Sequence, residues 1–192
     1  MQTYAGAVLS TAVFPRTRVV RALLVVGFAL LTALAAQFEI HLGFSPVPVT
    51  GQTLAVLLSG GVLGWRAGLG SQLLYLALGG VGLPFYAGGE GGWQHLLGPT
   101  GGYLVGFVAA AALVGWLAER RADRRVPTAI PSFLAGNAVI YLFGVPWLAA
   151  VVGLSLGEAV VLGLLPFVIG DLLKIGLAGI LLPAGWWLVD LR

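Results

Sequence analysis

The sequence predicts an all-α membrane protein: one bundle of six transmembrane helices, with both termini cytoplasmic. Three observations predict it. The 192 residues are 59% hydrophobic and only 9% charged, with a mean hydropathy of +1.00, whereas soluble domains carry roughly 25% charge. The apolar residues gather into six runs separated by short polar or glycine-rich stretches, and a helix needs ~20 such residues to cross a bilayer. All but one of the basic residues fall between the runs. A water-soluble globule and a disordered chain are thereby excluded. The runs do not alternate in polarity as barrel strands do, and a helix satisfies its own backbone groups in lipid. The length leaves room for one integral domain, 1–192, and no separate soluble one.

The first span covers residues 19–36, with Arg16 and Arg18 before it and Arg21 in its first turn. Ala35-Ala36-Gln37 could pass for a signal-peptidase site, but the apolar stretch is long for a leader and further spans follow. Residues 37–51 are polar and contain Pro46 and Pro48, so they do not cross as a regular helix. The second span, 52–63, is short and ends at Gly64-Trp65-Arg66. The third runs over 67–85 and leads into a glycine-rich loop, Tyr86 to His95. The fourth covers 98–117 and is followed by the charged connector Glu119 to Arg125. The fifth covers 127–151. The sixth, 156–187, is long enough to tilt, or to kink at Pro166.

The orientation follows from a count. Of ten Lys and Arg residues, nine lie outside the spans or, as Arg21 does, at the very start of one, and threading six spans puts all nine on one side. The other side carries Glu39, Glu90 and Glu158. Basic loops stay cytoplasmic, which places both termini there. A pI near 9.7 could suggest nucleic acid. The net charge is only +3, though, and the basic clusters fit loops beside a membrane, so no nucleic-acid partner is expected. The Arg120–Arg125 cluster serves as a topology anchor or a contact for acidic membrane lipid.

The tenth basic residue, Lys174, lies inside the sixth span, three residues after Asp171. Residues three apart share a helix face. An ionisable group at that depth costs roughly 2.5–3.5 kcal/mol and is usually functional. The pair is either a structural ion pair or part of a ligand site. In a site, Lys174 would meet a carboxylate, and Asp171 would accept donors from the ligand or hold the lysine. The other polar and aromatic residues cluster toward the outer side: Thr50, Gln52 and Thr53; Tyr86, Trp93, Gln94 and His95; Pro99, Thr100 and Tyr103; Asn137 and Tyr141. Together with Lys174 they would line a pocket of aromatic walls and few hydrogen-bonding groups, a common make-up for small-molecule sites. Trp93 and Tyr103 could equally be interfacial anchors. His41 and His95 read as surface residues, because no ligand partner sits at metal spacing. With no cysteine there is no thiolate site either. Neither a metal nor a cofactor is expected.

No phosphate-binding Gly-x-x-x-x-Gly-Lys-Ser/Thr occurs, so the chain does not use ATP by that route. No inverted repeat relates the halves, which argues against a self-sufficient carrier. Gly153-Leu154-Ser155-Leu156-Gly157 matches the hydrolase elbow text without its strand-turn-helix context. An intramembrane serine protease centred on Ser155 is the rival reading. Ala29 and Ala33 form a small-xxx-small face that either packs within the bundle or docks onto a partner membrane protein.

Several stretches carry a resemblance: Pro46-Val47-Pro48-Val49-Thr50-Gly51-Gln52-Thr53, Gly79-Gly80-Val81-Gly82-Leu83-Pro84-Phe85 and Gly98-Pro99-Thr100-Gly101-Gly102-Tyr103-Leu104. They continue with Gly136-Asn137, Tyr141-Leu142-Phe143-Gly144, Trp147-Leu148 and Gly170-Asp171-Leu172-Leu173-Lys174. In this order the chain resembles the BioY family, the biotin-specific substrate-binding (S) components of energy-coupling factor (ECF) transporters. The resemblance implies a six-helix S-component fold in a prokaryotic inner membrane that takes biotin from outside. It also implies a transmembrane coupling protein and two ATPases as partners, docked through Ala29 and Ala33. Some members work without a dedicated module, and self-association is a further option. Another vitamin is the alternative substrate. Biotin suits the residues. Aromatic walls would pack its bicycle, Gln52, Asn137 or Asp171 could meet the urea, and Lys174 could meet the carboxylate. Asp171 and Lys174 are one helical turn apart, so which end of biotin Lys174 meets stays open.

Overall fold

In the computed structural model, residues 7–190 are described, with the side chain of residue 190 excepted. The chain is almost entirely helical. A short helix α1 (Leu9–Val13) precedes α2 (Arg18–Ala36), whose start is capped by Thr17, the hydroxyl accepting the Val20 N–H at 3.2 Å. The proline-bearing stretch that follows is not helical. It carries a two-residue antiparallel ladder, β1 (Glu39–Ile40) with β2 (Val49–Thr50), pairing Glu39 with Thr50 and Ile40 with Val49. Next come α3 (Gln52–Leu63) and α4 (Trp65–Gly80). The two turn on Gly64 alone, at φ 81°, a left-handed value that side chains resist.

The remaining helices are α5 (Trp93–Leu96), α6 (Gly101–Glu119), α7 (Val126–Val152), α8 (Leu156–Gly163) and α9 (Val168–Asp190). The central helix is α6, which packs on α3, α4 and α7. Residues on α2, α7 and α9 such as Leu23, Leu142, Ile169, Leu173 and Trp187 point outward. An apolar exterior of this extent suits lipid and not water.

Four stretches are long and apolar enough to cross a membrane: Arg18–Ala36, Gly101–Glu119, Val126–Val152 and Leu156–Val189; Gln52–Leu63 is a shorter apolar helix. The sequence reading of the first, second, fourth and fifth runs matches α2, α3, α6 and α7 to within a few residues. The third differs: α4 stops at Gly80 and not at 85, because Val81 to Phe85 turn through Gly82 at φ 105° and then Pro84. The sixth run is broken. A 3-10 turn, Leu165–Phe167, separates α8 from α9, at the Pro166 position where a kink was expected.

Two polar devices tie the bundle together. Gln72 on α4 places Nε2 3.1–3.2 Å from the hydroxyls of Thr32, Ser59 and Ser71, joining α2, α3 and α4. At the other edge of α9, the indole N–H of Trp186 donates to Asp123 in the connector. Burial pushes the Asp123 carboxyl above the usual carboxylate range.

Ala29 and Ala33 pack inside the bundle. They are 0% and 7% exposed, inside the cluster that also holds Val56 and Tyr75. The small face lets α2 approach α3 and α4. The face is used for packing within the chain.

Candidate functional site

A cavity of about 570 Å³, counted out to its open mouth, lies where α3, α6 and α9 begin, beside the middle of α7. Its walls are mostly apolar and aromatic: Val47, Leu104, Phe107, Ile140 and Phe167, with Tyr103 and Tyr141 meeting edge to face at 6.2 Å between centroids. Tyr103 is fixed by its hydroxyl, which donates to the Gly163 carbonyl at 2.8 Å. Gly144 on α7 makes room for that ring, since a Cβ there would stand 2.3 Å from it.

The break before α9 positions the charged end. Asp171 falls in the first turn of α9, where the helix dipole favours a negative charge. Its carboxylate is surrounded by donors. Oδ2 accepts from Asn137 Nδ2 at 3.1 Å and from the Tyr141 hydroxyl; Oδ1 accepts from Lys174 Nζ at 3.1 Å and from the Thr53 hydroxyl at 3.3 Å. Lys174 Nζ also donates to Thr53 Oγ1 at 3.0 Å. An ammonium has three N–H groups. Two are used, and the third is left for the cavity that Lys174 lines. The pair is a buried salt bridge, with Asp171 5% and Lys174 18% exposed at the side chain. A buried carboxylate with four donors has little acceptor capacity left for a ligand. Asp171 therefore holds Lys174, and Lys174 faces the space.

Nine of the expected residues line this one cavity: Thr50, Gln52, Thr53, His95, Thr100, Tyr103, Tyr141, Asp171 and Lys174. The amide of Gln52 accepts from the Thr50 hydroxyl at 2.8 Å and donates to the Tyr75 hydroxyl. Asn137 stands behind the lining, bound to Asp171, with its own Oδ1 buried and without a partner. Three more of the expected residues lie outside the lining. Tyr86 is fully buried, and its hydroxyl donates to the Leu76 carbonyl at 2.8 Å, so it supports the loop from behind. Trp93 is 64% exposed and does not line the cavity. Pro99 lies on an outer recess above the mouth, beside Glu39, His41 and Glu90.

His95, which the sequence placed in the pocket cluster and read as a surface residue rather than a metal ligand, lines the mouth. Its ring stacks on Tyr86 at 5.0 Å, and Nε2 lies 3.3 Å from the Thr100 hydroxyl. Burial lowers its pKa, with Glu90 and Glu39 opposing. The sequence also gave no sign that Val47, Leu104, Phe107, Ile140 and Phe167 face a cavity. Thr53 stood beside Gln52 in a recognisable stretch, but only the fold brings it to Lys174. Ser155 is accounted for without chemistry: it caps α8 in a capping box with Glu158, which accepts from its hydroxyl at 2.7 Å.

A multi-helix membrane protein with a closely held lysine in an aromatic cavity belongs to the class of membrane components that bind a small anionic or polar solute. The model of the BioY family matches residues 8–190. The chain belongs to the BioY family. It is 42% identical over 158 residues to the probable biotin transporter BioY of Pyrococcus horikoshii, covering 82% of this chain and 91% of that one. It is 38% identical to the biotin transporter BioY of Rhizobium etli over 160 residues, covering 80% and 85%. Against that of Thermotoga maritima it is 40% identical over 154 residues, covering 80% and 88%. A crystal structure of the S-component for biotin from an ECF-type ABC transporter superposes with a TM-score of 0.80 at 26% identity, covering 88% of this chain and 94% of that one.

Proposed function

We propose that this protein is the biotin-capturing S component of a vitamin uptake system in a prokaryotic cell membrane. The observation that carries the reading is the donor arrangement around Lys174: a carboxylate saturated by its own neighbours, and an ammonium with one N–H left in an aromatic cavity. Biotin supplies an apolar bicycle for Tyr103, Phe107, Tyr141 and Phe167, and anionic or carbonyl oxygen for Lys174. The polar groups of Thr50, Gln52 and Thr100 meet the remaining donors and acceptors. The capture face is the one bearing the cavity mouth and the 86–98 loop. The bundle spans the membrane six times, α8 and α9 sharing the last crossing, with both termini in the cytoplasm. The chain has no ATP-binding motif, so uphill transport requires a coupling protein and ATPases of an ECF module. The relatives are named biotin transporters, which supports transport over catalysis.

The test is binding of labelled biotin to the purified protein beside Lys174→Ala. Wild-type protein binds saturably, and the variant binds about 10- to 100-fold more weakly, the range for a hydrogen bond to a charged group. Equal affinity in a folded variant would remove Lys174 from the site.

A further inference from the structure

At the end of the bundle opposite the Lys174 cavity, α1, the start of α2 and the α3–α4 turn enclose a second cleft of about 1210 Å³, counted out to its open side. Arg16, Arg21 and Arg66 all line it, against one acid, Glu119. Among the described residues none of the three arginines forms an ion pair. Arg66 lies over the Trp65 ring at 5.0 Å. Glu119 is engaged: its Oε1 accepts the Trp65 N–H at 3.2 Å, at the start of α4. The cleft wall is also fixed. Arg124 Nη2 donates to the Ala7 carbonyl at 3.1 Å, and α1 packs on α3 and α9.

Three guanidinium groups around one space form a site for a phosphate group, which they can grip in bidentate fashion. The open side decides where that phosphate comes from. Val20 and Leu24 line the cleft, and Leu23 and Val26 continue outward along α2, 65% and 42% exposed. A soluble anion has no use for that apolar track, whereas acyl chains do. We propose that the cleft holds the headgroup of an anionic phospholipid, its phosphate between Arg16, Arg21 and Arg66 and its chains along α2. The proposal rests on the membrane placement and is independent of biotin.

The experiment is lipid binding by native mass spectrometry of the detergent-solubilised full chain, with phosphatidylglycerol and phosphatidylcholine compared at equal concentration. Wild-type protein should retain phosphatidylglycerol about 100-fold better, given ~1 kcal/mol for each of three basic residues near an anionic lipid. Arg16→Gln/Arg21→Gln/Arg66→Gln should bring the preference below about twofold, and Arg21→Gln alone should lower it about fivefold. Arg120→Gln/Arg121→Gln/Arg125→Gln, which removes equal charge outside the cleft, should keep it. Millimolar inorganic phosphate should not displace the lipid. Absence of preference in wild type, equal loss in both triple variants, or displacement by phosphate alone would each overturn the proposal. Melting temperature reports folding, so a failed biotin reading leaves this test intact.

Discussion

Lys174 is held on one side by Asp171 and Thr53 and is open on the other. Removing a holder is therefore predicted to act differently from removing the lysine. Asp171→Ala leaves a buried ammonium without its counter-charge, which typically costs 3–5 kcal/mol. It should lower the melting temperature as well as biotin affinity, read by thermal unfolding in detergent. Tyr141→Phe removes one donor of four and should cost only a few-fold in affinity, with unfolding nearly unchanged. His95 gives a pH prediction. Burial, first of all, holds its folded pKa below the ordinary histidine value of 6.5. The folded loop therefore prefers the neutral ring, and stability present above pH 6.5 is lost as pH falls through it. Biotin dissociation should accelerate over that window in wild type and not in His95→Gln, measured by release of labelled ligand. The polar members of the site were legible because an ionisable or hydrogen-bonding residue in an apolar run is expensive and stands out, as Asp171, Lys174 and Asn137 do. Phe107 and Ile140 were not, since in a chain 59% hydrophobic nothing marks a side chain facing a cavity from one facing lipid. Tyr86 and Trp93 were misplaced because the directions of loop aromatics follow backbone turns at Gly88, Gly89 and Gly92, all at positive φ.

At the scale of the element, close helix approach sets the cavity's shape. Gly115 on α6 abuts the α3–α4 turn, where a Cβ would stand 2.4 Å from the Gly64 and Trp65 backbone. Gly144 plays the same part toward Tyr103. Overpacking of this kind costs about 1–3 kcal/mol, more against backbone. Gly115→Ala should lower the melting temperature most. Gly144→Ala should lower both stability and biotin affinity, by displacing a cavity wall. Gly176→Ala, with nothing within 4 Å, should be neutral. The end of α3 was legible, since Gly64 marks it. The end of α4 was not, because hydropathy continues through residues 81–85 after helical geometry has stopped. Pro166 pointed to a bend in the last run, but not that the turn there would set Asp171 in the first turn of a new helix.

For the whole molecule, orientation is the claim with the widest consequences. The chain has no cysteine, so single cysteines report sidedness cleanly. Gln94→Cys and Gly157→Cys should react with an impermeant maleimide on intact cells, whereas Arg125→Cys should react only after permeabilisation. The opposite pattern would invert the topology. The burial of Ala29 also changes what its substitution should do. Ala29→Leu has to force α2 away from α3 and α4, and should lower the melting temperature before any effect on coupling is seen. Family membership was legible as an ordered set of short stretches, while the partner face was not, since the same small residues serve packing inside one chain or between two. The most direct test of the central claim is equilibrium binding of labelled biotin to the purified, detergent-solubilised protein, with cold biotin, thiamine and riboflavin as competitors. Saturable binding displaced by biotin alone is the predicted result. A folded sample that binds no biotin, or that gives it up equally to thiamine or riboflavin, would contradict it.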